Sequence, residues 1–203
     1  MIIKVCGMKY AANIKELDAL KPDMTGFIFH QGSPRFVGAL PDYLPLSSLR
    51  VGVFVNSDTD YILRKVKEFG FNIVQLHGDE PPEQCSTLRS EGISIIKAFA
   101  LRADNADSVT APYDGLCRYY LFDTPCAGFG GSGNAFDWSL THSYHGNTPF
   151  LLSGGIRPDS VERIAAFRHP AFAGIDINSG FESSPGVKDI KAISDFIKQL
   201  RTL

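Results

Sequence analysis

No stretch of this 203-residue chain approaches the ~20 consecutive apolar residues that a membrane-spanning helix needs. The apolar start, Met1-Ile2-Ile3 before Lys4, is too short for the core of a secretory signal. No Lys/Arg run exceeds two residues and the formal net charge is −2. That balance lacks the electrostatic footprint of a nucleic-acid or anionic-membrane partner, though one basic pocket for a small anion could hide within it. Cysteine is scarce, and Cys6, Cys85, Cys117 and Cys126 form no CxxC pair and no metal-ligand spacing. His142 and His145 stand three apart with no Cys, Asp or Glu close in sequence to complete a site, so no metal is expected. In the cytoplasm, the expected compartment, the cysteines stay reduced thiols.

What the chain has is an ordinary globular balance, 44% hydrophobic and 21% charged, over a length that suits one domain, 1–203. Short apolar runs recur at 2–6, 25–29, 50–55, 73–77, 94–99, 119–123, 150–153 and 173–177. They are rich in Val, Ile, Phe and Leu and near-continuous, as strands buried on both faces of a parallel sheet are. Between several of them lies a helical pattern: 13–20, 58–69 with Asp58 as a capping candidate, 159–167 and 188–200. The second interval carries Pro41 and Pro45 and leaves room for little more than a turn of helix. Eight such units at about 24 residues each predict a single closed (β/α)8 TIM barrel, near the lower size limit for that fold. An open doubly wound sheet rarely needs eight such regular units, and a solenoid would show a repeating consensus, absent here.

In these barrels the chemistry sits where strands end and βα loops begin. Cys6, Arg35, Asn56, Gln75, His77, Lys97, Asp123, Ser153-Gly154-Gly155 and Asn178-Ser179-Gly180 all fall there. The two glycine segments after strands 7 and 8 suit a phosphate site, since glycine lets backbone N–H groups approach an anion. Read alone, each could be an ordinary tight turn. Gly128-Phe129-Gly130-Gly131-Ser132-Gly133 matches GxGxxG, but it starts five residues after Asp123 and no acidic residue follows at ribose-binding distance. It reads instead as a lid over the barrel mouth. Cys6 and Asp123, on strands 1 and 6, would face each other across that mouth. A thiolate taking a proton and a carboxylic acid giving one make a general acid–base pair, which requires the thiol pKa lowered and the carboxyl pKa raised. The bland readings are a buried structural thiol and an Asp that braces a loop.

Several motifs resemble, in order, those of one family. They are Lys4-Val5-Cys6-Gly7, Ser33-Pro34-Arg35-Phe36-Val37, Val51-Gly52-Val53-Phe54-Val55-Asn56 and Val74-Gln75-Leu76-His77-Gly78-Asp79-Glu80. Further on come Gly130-Gly131-Ser132-Gly133 with Phe136-Asp137-Trp138, Ser153-Gly154-Gly155-Ile156, and Asp176-Ile177-Asn178-Ser179-Gly180-Phe181-Glu182 with Pro185-Gly186-Val187-Lys188-Asp189. The family is phosphoribosylanthranilate isomerase of tryptophan biosynthesis. The resemblance implies a cofactor-independent aldose–ketose isomerase performing an Amadori rearrangement on a small sugar-phosphate substrate. It implies Asp123 as the acid that opens the furanose to a Schiff base and Cys6 as the base at C2′. Arg35 would hold the anthranilate carboxylate, and backbone around Gly155 and Ser179-Gly180 the phosphate. His77, Gly154 and Asn178 join the expected substrate-binding set, and other tryptophan-pathway enzymes are the expected partners.

The chain departs from the family pattern with Asn178 and Phe181 where many members carry Ser and Val, and with Met8-Lys9 for an apolar residue and Thr. Neither change removes a proposed catalytic group. The related histidine-pathway isomerase resembles a two-fold repeat with Asp on strands 1 and 5, whereas this chain has Cys6 and Lys97 there. A non-catalytic phosphate-ligand sensor would be expected to lose the acid–base pair, and both members are present.

Overall fold

The apolar runs form eight parallel strands that close in sequence order, β1 to β8. The computed structural model describes residues 1–101, 103–123 and 137–202. The strands are β1 Ile2–Val5, β2 Met24–Ile28, β3 Leu49–Phe54, β4 Ile73–Leu76, β5 Ser94–Ala100, β6 Tyr119–Asp123, β7 Phe150–Leu152 and β8 Phe172–Ile177. The barrel closes where β1 pairs β8, with Lys4 opposite Asp176 and Val5 opposite Ile177. No described helix is long and apolar enough to cross a membrane.

Alternate strand residues divide the core in two, because successive side chains leave opposite faces of a strand. Cys6, Met24, Val51, Val53, Ile73, Ile96, Ala98, Leu121 and Leu151 fill the barrel lumen. The larger cluster, with Phe27, Phe54, Val74, Phe122 and Phe150, lies outside and packs under the helices.

Those helices are α1 Ala11–Asp18, α2 Thr59–Phe69, α3 Pro82–Ser90, α4 Ala106–Thr110, α5 Val161–Ala166 and α6 Ile190–Arg201. The stripe Ile193, Phe196, Ile197 and Leu200 buries one face of α6, and Asp189 caps its start by accepting from the Ala192 N–H at 2.9 Å. Asp58 occupies the equivalent position before α2, but its side chain makes no capping bond. The helical pattern expected from 188 begins instead as a strand: β9 Glu182–Ser184 and β10 Val187–Lys188 form a small antiparallel hairpin before α6. The pattern expected over 159–167 divides into a 3₁₀ turn, Pro158–Ser160, and α5. Between β2 and β3, where Pro41 and Pro45 left room for little more than a turn of helix, not even that turn forms. That crossover is tied down by Asp18, whose carboxylate accepts from Tyr43 OH, the Leu46 and Ser47 N–H groups and the Ser47 hydroxyl.

Candidate active site

Cys6 stands one residue past β1, its N–H bonded to the Ile177 carbonyl at 2.9 Å. This bond extends the β1–β8 ladder and holds the thiol in the lumen, buried. Beneath it, inside the barrel, Lys4 Nζ donates to Asp176 Oδ2 at 2.7 Å, with the lysine fully enclosed. Burial works against the Lys4 charge, but Asp176 and the neighbouring Cys6 hold its pKa above the usual lysine value. Burial also pushes the Cys6 thiol up. Lys4 and Lys188 pull it down and Asp176 adds to the rise, with the balance above the ordinary cysteine value. The expected lowering of the thiol is thus reversed, because the lumen costs a thiolate more solvation than two cations restore.

Across the mouth, Asp123 ends β6. Its Oδ2 lies 3.3 Å from His77 Nε2. His77 is set by the end of β4: its N–H bonds the Phe54 carbonyl at 2.8 Å, and its Nδ1 lies 2.8 Å from Gln75 Nε2. The loop beyond is braced from below. The Glu80 carboxylate accepts from the Asn56 and Gly78 N–H groups, and Lys97 Nζ reaches the Gly78 carbonyl at 2.7 Å and Glu80 at 3.1 Å. Lys97 therefore does not line the mouth. Its neighbours Ile96 and Ala98 face the lumen, so Lys97 points outward, close to the rings of Phe99 and Tyr113.

Arg35 reaches the same face from the loop after β2. Its Nε donates to both Glu182 oxygens at 2.9 and 3.0 Å, and Nη2 to Oε2 at 2.6 Å. Glu182 also accepts from Lys188 Nζ at 2.6 Å, and Lys188 donates to Asn178 Oδ1 at 2.7 Å. Burial would raise the Glu182 pKa, yet the two cations hold it below the usual range. Arg35 and Asn178 converge beside Gly7: a side chain there would start 2.7 Å from Arg35 Cδ and 2.6 Å from Asn178 Oδ1.

On the adjoining rim, Gly154 and Gly155 both have positive φ, +79° and +68°. That backbone turns N–H groups out of the ladder, a concavity that suits an anion. Ser179–Phe181 forms a 3₁₀ turn against it, so close that a Cβ on Gly180 would collide with the Ile156 carbonyl. The glycine loop 128–133 and Cys126 lie outside the described residues. Among the described residues no group of three or more His, Cys, Asp or Glu could hold a metal ion.

The structure thus brings Cys6, Arg35, His77, Asp123, Gly154, Gly155, Asn178, Ser179 and Gly180 to one end of the barrel. It adds Lys4, Asp176, Glu182 and Lys188, which sequence reading left without a role. The available signal was a charge inside an apolar strand, Lys4 in Ile2-Ile3-Lys4-Val5 and Asp176 in Gly174-Ile175-Asp176-Ile177. In a closed barrel the first and last strands are neighbours, which makes these two a pair.

A family model described as "PRAI: N-(5'phosphoribosyl)anthranilate (PRA) isomerase" matches residues 3–199. A relative of that name from Parabacteroides distasonis is 50% identical over 98% of this chain and 93% of its own. Another from Phocaeicola vulgatus is 48% identical over 99% and 98%. A solved phosphoribosyl anthranilate isomerase in complex with reduced 1-(o-carboxyphenylamino)-1-deoxyribulose 5-phosphate superposes over the whole of both chains with TM-score 0.79 and 31% identity.

Proposed function

The chain belongs to the N-(5'-phosphoribosyl)anthranilate isomerase family, and from that premise we propose that Cys6 and Asp123 are the base and acid of its reaction. The enzyme converts the N-glycosylated anthranilate aldose phosphate to its 1-deoxyribulose isomer in tryptophan biosynthesis. Asp123 gives a proton to the furanose ring oxygen, the C1′–O bond breaks, and a Schiff base forms. The Cys6 thiolate takes the C2′ proton, and the enolamine then tautomerises to the ketone. The single observation that carries this reading is placement: two groups of opposite proton duty at the C-terminal ends of β1 and β6, opening on one mouth.

The raised thiol pKa fits a base that is charged only when it works. Lys4 and Lys188 both pull the thiol toward its charged form, so a thiolate made there has cations beside it. The Glu182-engaged edge of Arg35 leaves the Nη1 edge to meet the anthranilate carboxylate, a task for a rigid fork of donors. The backbone of Gly154, Gly155, Ser179 and Gly180, with Asn178 beside it, receives the phosphate. No step in this sequence calls for a cofactor. The whole chain acts as one catalytic domain. A base thiol must stay reduced, which favours the cytoplasm, where the other tryptophan-pathway enzymes would be its partners.

Asp123→Asn keeps size and hydrogen bonding but removes the transferable proton, so kcat should fall by ~10²–10⁴. Cys6→Ala should abolish turnover with little change in melting temperature, and Cys6→Ser should be nearly as poor. Cys6→Ala within tenfold of wild type, or Asp123→Asn with normal kcat, removes that residue from its role.

A further inference from the structure

We propose that Cys85 and Cys117 form a dithiol site for hydrogen peroxide, which oxidises them to a disulfide tying α3 to the segment that enters β6. Neither residue belongs to the mouth or takes part in the reaction proposed above. Cys85 lies in α3 and is fully enclosed, and Cys117 stands two residues before β6, half-buried. The fold brings the two thiols within hydrogen-bonding distance of each other. Neighbouring bonds fasten the backbone around them. Arg89, one turn beyond Cys85, donates to the Gly115 carbonyl, and the Arg118 N–H bonds the Ile95 carbonyl at 2.8 Å.

An oxidant has a way in. Cys117 lines a cavity of about 340 Å³ together with Arg89, Arg118, Ser94 and Gly115. Ser94 begins β5 and Arg118 precedes β6, so the cavity lies toward the end of the barrel opposite the mouth. A side chain added at Gly92 or Gly115, both in its lining, would meet nothing within 4 Å. A water molecule takes up about 30 Å³ in the liquid, so hydrogen peroxide, little larger, enters with room to spare. Cys85 does not line the cavity, and the oxidant therefore meets Cys117 first.

The group that attacks a peroxide is a thiolate. The hydrogen bond with Cys117 holds the Cys85 thiol below the ordinary cysteine value, and the Lys97 charge helps, against burial and the Glu80 carboxylate. The Cys117 thiol is raised in turn by its bond to Cys85 and by burial, with Lys97 and Arg89 opposing. The two act as one unit. A first proton leaves more readily than from a lone thiol, and the second stays between the sulfurs. When that proton sits on Cys85, the Cys117 sulfur facing the cavity is the thiolate. It attacks one peroxide oxygen, the O–O bond breaks, and the departing hydroxide takes a proton from solvent to become water. Cys117 is then a sulfenic acid. The Cys85 sulfur attacks the Cys117 sulfur, the S–O bond breaks, and a second water leaves with the remaining thiol proton. Two thiols lose two electrons and one peroxide gains them. In a reducing compartment the disulfide is transient, and exchange with small thiols returns the pair to rest.

The test starts from the unaltered chain, treated with hydrogen peroxide at neutral pH and followed by intact mass and peptide mapping. The first product should be lighter by two hydrogens, with the Cys85 and Cys117 peptides joined and Cys6 recovered as a free thiol after denaturation. Dithiothreitol should restore the starting mass. Cys117→Ser should block the loss of mass. Cys85→Ala should instead leave a sulfenic acid on Cys117 that dimedone traps. Should the enclosed Cys85→Ala variant fail to fold, the half-buried Cys117→Ser and the mapping of the unaltered chain still decide the matter. Cys117 reaching the sulfinic acid with no joined peptide overturns the proposal. So does an undiminished loss of mass in Cys117→Ser, or a disulfide that forms first to Cys6 or Cys126.

Discussion

Glu182→Gln should weaken both the fold and the grip on substrate. The Glu182 side chain is 4% exposed and holds Arg35 through three contacts and the fully buried Lys188 through one. Glutamine keeps the volume but leaves two neighbouring cations without their counter-charge. Removing one partner of a buried pair costs about 3–5 kcal/mol. Burial already lowers the Lys188 pKa against the pull of Glu182, so in the variant Lys188 can shed its proton and escape part of that cost. The lower end, about 3 kcal/mol, is therefore expected, which for a chain of this length is a melting temperature lower by roughly 6–12 °C. The sign with pH follows from the depressed Glu182 pKa. Its stabilisation is complete above the unfolded glutamate value, ~4.3, and drains away as pH falls through the lower folded value. Thermal melts of both proteins at pH 7 and pH 3 should show a gap that narrows in acid. Steady-state assays with N-(5'-phosphoribosyl)anthranilate should show a raised KM as Arg35 loses its orientation. A melting difference under 2 °C at pH 7, or a gap that widens in acid, would refute the reasoning.

Two further outcomes follow from the geometry. Gly180→Ala drives a Cβ into the Ile156 carbonyl, separating the rims after β7 and β8, so competitive inhibition by inorganic phosphate should weaken at least about tenfold while the barrel still melts cooperatively; an unchanged inhibition constant would move the phosphate elsewhere. Asp18 has its pKa lowered from 3.8 to about 2 by the Leu46 and Ser47 N–H groups and the Ser47 and Tyr43 hydroxyls, which outweigh its burial. Asp18→Asn should therefore cost about 2 kcal/mol in urea melts at neutral pH, with the difference vanishing as pH falls from 3.8 toward 2; a pH-independent difference would mean the charge is irrelevant there.

Strand placement was legible because each apolar run is bounded by turn residues. Tyr119–Asp123 is matched residue for residue, and the others shift by one. Helix placement was harder. The interval between β4 and β5 is not among the helical patterns named from the sequence, yet α3 starts on Pro82, because proline is at home in a first helical turn. Val187-Lys188 fits the helical stripe that follows but pairs as β10, because a two-residue hairpin arm has no period to read. Lys97 was misassigned for a similar reason. In Ile95-Ile96-Lys97-Ala98-Phe99 both faces are apolar, so nothing local says which way the lysine points. The site residues at strand ends were visible because barrel topology assigns them a face. Their partners Lys4, Asp176, Glu182 and Lys188 become meaningful only after closure puts strands 1 and 8 side by side.

That closure has a temporal side. Lys4 and Asp176 are 172 positions apart, so a ribosome makes the lysine long before its carboxylate. Until β8 emerges, a nascent chain that folded around Lys4 would enclose an ammonium with no counter-ion, which is strongly unfavourable. Closure on seven strands would leave that charge unpaired, so the pairing across the seam between the oldest and youngest strands waits on the arrival of Asp176 opposite Lys4.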